Sequence, residues 1–143
     1  MKKLISLTLF VVIALVLTAC DTSTATPTLT ETTWQWTAMQ ETVPASQSMV
    51  PPSDVGKYTI KFSTDGTAEI KADCNGVGAT YTTSDSNLTI TLGAGTLMYC
   101  GDTSLDQIYL TSLAKVNSYT IDSGGLHLNF ANDGGKMDFQ AAE

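Results

Sequence analysis

The sequence predicts a small, mainly β domain of the α+β class: a curled, barrel-like antiparallel meander of about eight strands with one α-helix packed on it. Three observations carry this expectation. Apolar and polar residues alternate at period two through most of the chain beyond residue 33, the pattern of strands with one buried face. Turn signals at Asp65-Gly66, Gly124-Gly125 and Asn132-Asp133-Gly134-Gly135 interrupt the alternation at short intervals. A single segment, residues 103–116, switches to helical period.

The chain opens with Lys2 and Lys3, followed by sixteen almost wholly apolar residues from Leu4 to Ala19. A basic start and a run this short read as a secretory signal over residues 1–19, since a spanning helix needs roughly 20 apolar residues. The signal ends in Leu17-Thr18-Ala19-Cys20, which resembles the bacterial lipobox. That resemblance implies cleavage before Cys20, a diacylglyceryl group on its thiol and a protein anchored to the outer side of a cell membrane. Two or more acyl chains are what stable attachment requires. In some two-membrane bacteria an aspartate at the position of Asp21 favours retention at the inner membrane.

Cleavage leaves 124 residues, enough for one domain and too few for two. Five lysines, no arginine and fourteen carboxylates then give a formal charge of −9. Nucleic acid is excluded as an expected partner, because its binding rests on clustered cationic side chains. Anionic lipid meets no polybasic patch, so membrane contact is expected from the anchor alone. Residues 20–33 carry the lipidated cysteine and a stretch with seven threonines. Such a composition cannot bury enough surface to fold and is expected to form a flexible tether, with a reach on the order of 20 Å.

The domain is expected over residues 34–143. Trp34 and Trp36 share one strand face and are expected to anchor the core. Residues 37–55, broken by Pro44, Pro51 and Pro52, are expected to form a long irregular loop, and loops of that length often bind. Tyr58, Ile60 and Phe62 alternate inward, then Ala68, Ile70 and Ala72, with the Asp65-Gly66 turn between the two strands. Gly76 and Gly78 are expected to interrupt the next strand before Tyr81, and Leu88, Ile90 and Leu92 supply another. In the helical segment Leu105, Ile108, Tyr109, Leu113 and Val116 fall on one face. Thr103 and Asp106 suggest a capping box at its start, and Lys115 and Asn117 suit its end. Three short strands close the chain, around residues 118–122, 125–130 and 136–139. An open edge in so many strands invites aggregation, so the sheet is expected to close on itself.

Trp34 to Phe139 resembles the META domain, found in small secreted and lipid-anchored bacterial proteins. The resemblance rests on the early tryptophan of "TTWQW", the block "KYTIKFSTDGTAEIKADCN" with Cys74 and Asn75, Tyr81, and "TLMYC" with Thr96, Met98 and Cys100. It also rests on "SLDQIYLTSL" and the closing "GGKMDF". Two departures are Ala79, where the family usually has glycine, and Gly101, where proline is common. The family implies a β-rich, barrel-like domain with a helix against it, no accepted enzymatic activity, no known cofactor, and loose links to envelope stress, drug tolerance and motility.

Candidate chemistry is sparse. A structural zinc site needs four ligands, usually in close pairs, whereas Cys74 and Cys100 are 26 positions apart and His127 is the chain's one histidine. His127 stands between Leu126 and Leu128 and is expected on the solvated face. Asp65, Asp73 and Asn132-Asp133 lack the spacing of a calcium loop. A thiolate nucleophile needs a cationic neighbour, and nothing resembles a catalytic triad. Glu69 and Asp73 are outward strand carboxylates, ordinary for a solvated face. No enzyme, metal or cofactor is expected.

Disulfides persist in an exported domain, and acylation of Cys20 leaves an even number of thiols. A Cys74–Cys100 bridge is expected, closing a 27-residue loop and contributing about 3.5 kcal/mol by restricting the unfolded chain. Asn75 beside it is explained by turn formation, although a turn does not demand asparagine. The expected function is that of a monomeric, lipid-anchored, non-catalytic binding or envelope-maintenance module acting through a protein or glycan. The alternative is an inhibitor of an extracellular hydrolase such as a lysozyme or a protease, with acidic charge steering it to a basic enzyme. Labelled palmitate is expected to enter the wild-type protein in its own cells and to be lost in Cys20→Ala; label persisting in the variant overturns the lipobox assignment.

Overall fold

A computed structural model describes residues 27–143. The signal, Cys20 and the first part of the expected tether lie outside the described residues. Nine strands form one sheet: β1 (Thr33–Thr42), β2 (Ala45–Met49), β3 (Tyr58–Phe62), β4 (Thr67–Ala72), β5 (Asn75–Ser84), β6 (Asn87–Gly95), β7 (Val116–Asp122), β8 (Gly125–Phe130) and β9 (Gly135–Ala141). The helix α1 (Asp106–Leu113) lies between β6 and β7 in the chain. From β3 to β9 each strand pairs antiparallel with the next, and β1 pairs with both β3 and β9. The sheet therefore curls into a ring, the closure expected from the hazard of an open edge.

Inward positions build the core. Trp34, Trp36, Ile60, Phe62, Leu88, Leu126, Leu128 and Met137 are buried inside the ring. Trp36 stacks on Tyr109 of α1, while Tyr58 meets both rings edge-on, contacts worth about 1 kcal/mol each beyond area burial. The indole N–H of Trp36 is satisfied by the Ala38 carbonyl at 2.8 Å, across a register shift between Trp36 and Ala38. The chain packs from Leu29 onward: Leu29 is buried, its carbonyl accepts the Trp34 indole N–H at 3.1 Å, and the Glu31 N–H donates to Phe62.

The ninth strand comes from the segment expected to be a loop. Residues 37–49 instead extend β1, turn at Val43-Pro44 through a cis peptide bond, and return as β2, which pairs with β1 from Ala38–Met49 to Thr42–Ala45, and only residues 50–54 stay irregular. β2 reads Ala-Ser-Gln-Ser-Met and buries neither face, so it has no alternation to reveal it. Gly76 and Gly78 do not interrupt β5 but lie within it. The close approach of β5 and β6 constrains the glycines of β6 instead: a Cβ on Gly95 would lie 2.7 Å from a methyl of Val77 and 2.9 Å from the Gly76 carbonyl, and one on Gly93 would lie 3.0 Å from the Gly78 carbonyl.

The helix also departs from expectation. Its buried residues are Asp106, Tyr109, Ser112 and Leu113, while Ile108 is 40% exposed and Val116 already belongs to β7. No capping box forms at Thr103 and Asp106. The Asp106 N–H is instead taken by Ser104 Oγ at 3.3 Å, and the carboxylate turns to Gln107 N–H and into the domain. Lys115 lies beyond the helix and pairs with Glu41 on β1, holding that carboxyl below its usual range; Asn117 is part of β7.

Tyr109 Oη is the one buried side-chain polar atom among the described residues that lacks a hydrogen-bond partner. Burying a hydroxyl unpaired costs about 1–3 kcal/mol. Tyr109→Phe is expected to leave the fold intact and raise stability by about 1 kcal/mol, read from the midpoint of urea unfolding; a clear loss of stability would show that the hydroxyl is satisfied.

Candidate functional site

The β4–β5 turn positions the site. Asp73 adopts φ +58°, a left-handed conformation tolerated by aspartate, so only Asp73 and Cys74 separate the paired residues Ala72 and Asn75. Period two then aims Asn75 inward at the end of the ring, where it is 4% exposed. A buried amide must satisfy both its ends, and here the partner is a second main chain. Asn75 Oδ1 accepts the Met98 N–H at 2.7 Å while Nδ2 donates to the Met98 carbonyl at 3.0 Å. The side chain pairs with one residue as a neighbouring strand would.

Further contacts complete the arrangement. Thr96 Oγ1 donates to Asn75 Oδ1 at 2.9 Å and accepts the Gly76 N–H at 3.1 Å; its own N–H donates to the Gly76 carbonyl. Asn75 Nδ2 also lies 3.3 Å from Asp106 Oδ2 and 3.3 Å from Cys100 Sγ. Cys74 and Cys100 are joined in a disulfide with Cα atoms 5.6 Å apart. Tyr58 Oη accepts the Leu105 N–H at 2.8 Å and donates to Asp73 at 3.3 Å, tying the approach to the helix back to the turn. One bridge, one amide and one phenol thus fix residues 96–106 against the end of the sheet.

What these contacts hold in place is apolar and exposed. Leu97 is 91% exposed, Met98 56% and Tyr99 79%. The Tyr99 hydroxyl is bonded to Asp102. Between this loop and the start of α1 lies a cleft of about 440 Å³, lined by Asn75, Leu97, Met98, Asp102, Gln107 and Leu110 among others. Large apolar side chains normally contribute by burial, so holding three of them rigidly in water is a feature of interaction surfaces.

The other sequence candidates lie elsewhere. His127 is on the outer face of β8 but is not simply solvated: Nδ1 is 2.6 Å from Asp138 and Nε2 3.3 Å from Asp122. The Gly124 N–H and the His127 ring together hold the Asp122 carboxyl below its usual range. The two carboxylates approach opposite ring nitrogens, an arrangement that staples β7, β8 and β9 rather than converging on one point. Asp65 closes its turn by accepting both the N–H and the hydroxyl of Thr67, and Glu69 is exposed on β4. Among the described residues no three His, Cys, Asp or Glu side chains are placed to hold a metal ion, and no helix is long and apolar enough to cross a membrane. Cys20 is outside the described residues. The site residues that sequence reasoning missed are Thr96, Met98 and Asp106 as partners of Asn75. Their signal was the unexplained asparagine itself.

Asn75→Ala is expected to cost about 3 kcal/mol, because it leaves the Met98 N–H and carbonyl without their partner. Asn75→Asp keeps the acceptor, loses the donor and sets a second carboxylate against Asp106. Its deficit is expected to exceed that of alanine at neutral pH and to shrink as acid protonates one of the pair, a crossover readable by urea unfolding at several pH values.

Comparison with known proteins bears on fold and family. A solved protein from Burkholderia xenovorans, determined by NMR, is 24% identical with a TM-score of 0.63, over 80% of this chain and 83% of that one. The crystal structure of a DUF4847 family protein from Bacteroides vulgatus is 15% identical with a TM-score of 0.56, over 78% of this chain and 93% of the other. At these identities the likeness is one of fold. Comparison with curated proteins finds no match. The family model of the META domain matches residues 27–143, nearly all of the chain beyond the expected signal and lipidated cysteine; the chain belongs to the META domain family.

Proposed function

We propose that this is a lipid-anchored, non-catalytic envelope protein whose META domain is a docking module, presenting residues 96–101 to a protein or glycan partner in envelope maintenance or stress tolerance. The observation that carries this reading is the pinned apolar loop. Leu97, Met98 and Tyr99 are exposed, while the main chain beneath them is fixed by the Asn75 amide and the Cys74–Cys100 bridge. A rigid loop loses little conformational freedom on binding, so more of its contact energy appears as affinity. Aromatic and methionine side chains are those enriched at interfaces.

The anchor at Cys20 and the threonine-rich stretch after it support placement on the outer side of a membrane. With both cysteines of the domain in a disulfide, neither is available as a thiolate nucleophile, which supports a binding role over a catalytic one. The protrusion of Leu97 and Tyr99 from a stapled loop also favours the second reading, insertion into the cleft of an extracellular hydrolase. Titration against lysozymes and common proteases separates that reading: no slowing at micromolar domain removes it.

A photo-crosslinking residue placed at Leu97 in the lipidated protein, in its own cells, is expected to capture a discrete partner. The same probe at Thr64, in the turn between β3 and β4, is expected to capture none. Capture at Leu97 is expected to fall at least several-fold when Met98→Ser and Tyr99→Ser are added; equal capture from both positions, or none from either, overturns the docking reading.

A further inference from the structure

Carboxamides crowd one place on the outer wall of the ring. The chain has five asparagines and five glutamines, and Gln40, Asn117, Asn129 and Asn132 all line a single open cleft of about 610 Å³. They come from β1, β7, β8 and the turn between β8 and β9, so nearness in the chain does not explain their meeting. Asparagine is depleted in strands, yet Asn117 and Asn129 stand in two of them. Among the described residues none of these four amides is hydrogen-bonded within the protein, whereas Gln140, exposed on β9, donates its own to Gln35 at 3.0 Å.

Strand register builds the floor of the cleft. Ser118 pairs with Asn129, Asn129 with Lys136, and Lys136 with Gln40, one lateral row across β7, β8, β9 and β1. The adjoining Leu128, Met137 and Met39 are buried, so alternation turns the row outward, and at strand spacing it is about 14 Å long. A bulge adds Asn117: the register skips it between Val116 and Ser118, and a bulge re-aims the side chain it carries. The β8–β9 turn adds Asn132 at φ +56°, a conformation that asparagine tolerates. That turn is held to β1, because Thr42 donates its N–H to the Gly134 carbonyl at 3.0 Å and its hydroxyl to the Asp133 carbonyl at 2.8 Å. Gly135 lies so near β1 that a Cβ there would collide with the Gln40 carbonyl.

We propose that this cleft binds a neutral oligosaccharide. A carboxamide presents a donor and an acceptor side by side, which matches two adjacent hydroxyls of a sugar ring, and a row of such groups repeats the match along successive rings. One cation and one anion line the cleft, Lys136 and Asp133, so it carries no net charge in a chain of formal charge −7. The Lys136 ammonium is already engaged by Asp138 at 2.9 Å. An ionic ligand therefore meets no complementary excess. A peptide is served no better: each strand of the floor is paired on both sides, which leaves no edge for an added strand, and the one aromatic residue lining the cleft, Phe130, is only 8% exposed. The site goes beyond the docking reading and is separate from the pinned loop, since the two clefts share no residue.

Isotope-labelled lipidated protein in nanodiscs is titrated with four probes and followed by NMR at the side-chain amides. Cellotetraose and the tetramer of N-acetylglucosamine are the neutral glycans, without and with acetamido groups; tetragalacturonate is the anionic one, and an octapeptide of alternating valine and threonine is the peptide. At about 10 mM at least one neutral tetramer is expected to shift the amides of Gln40, Asn117, Asn129 and Asn132 and to leave those of Asn75 and Gln140 in place. Tetragalacturonate and the peptide are expected to shift them little. Asn117→Ala and Asn129→Ala are each expected to weaken the neutral glycan about fivefold or more, with the urea midpoint showing that the fold persists, while Gln140→Ala leaves affinity unchanged. No shift with either neutral tetramer, equal shifts with tetragalacturonate or the peptide, or full affinity in both asparagine variants overturns the proposal. Shifts confined to Asn75 and residues 96–101 overturn it too and place the glycan at the docking loop. Capture from Leu97 bears on the docking reading alone, so the two readings fail separately.

Discussion

A single carboxamide with nowhere else to go governs how this domain ends. Asn75 is carried to the mouth of the ring by strand periodicity and buried there. Its two polar ends must then find one donor and one acceptor on the same side, and a main-chain residue in extended conformation offers that pair at the right separation. Met98 supplies it. Neither leucine nor aspartate could hold the strand-like contact, the first lacking polar ends and the second lacking a donor. From that constraint follow the path of residues 96–101, the closeness of Cys100 to Cys74, and the approach of Asp106 at the start of α1.

The bridge and the amide divide the task between states. The disulfide acts mainly on the unfolded chain by limiting its freedom, whereas the amide acts in the folded chain by fixing direction. Without the amide, the bridge would tether a loop free to rotate about it; without the bridge, the amide would have to recruit Met98 from a far larger set of chain conformations. Together they keep three large side chains out of the core, where hydrophobic burial would otherwise draw them.

Much of the fold was legible because strands β3, β4, β8 and β9 face a core on one side and solvent on the other, which writes itself as alternation. The Cys74–Cys100 pair was legible from thiol arithmetic alone. β2 was hidden because it is exposed on both faces, and hydrogen bonds to β1 leave no mark on composition. The buried face of α1 was misjudged because Asp106 and Ser112 are buried by distant partners, Asn75 and Met39, and no local pattern announces a contact across tens of residues. The candidate site was half visible for the same reason: Asn75 stood out as unexplained, but Thr96 and Met98 gained meaning only once β5 and β6 lay side by side.

Closure of the ring through β1 and β9 has a temporal side. Trp34 pairs with Ala141 and Trp36 with Phe139, so the two tryptophans that begin the core lie against the last strand of the domain. Contacts that span nearly the whole sequence form late and slow folding relative to local ones. A chain still lacking residues 135–141 leaves Trp34 and Trp36 uncovered along that edge, and cannot complete its core however long it waits. The domain is therefore built to remain unfinished until its final strand has been delivered.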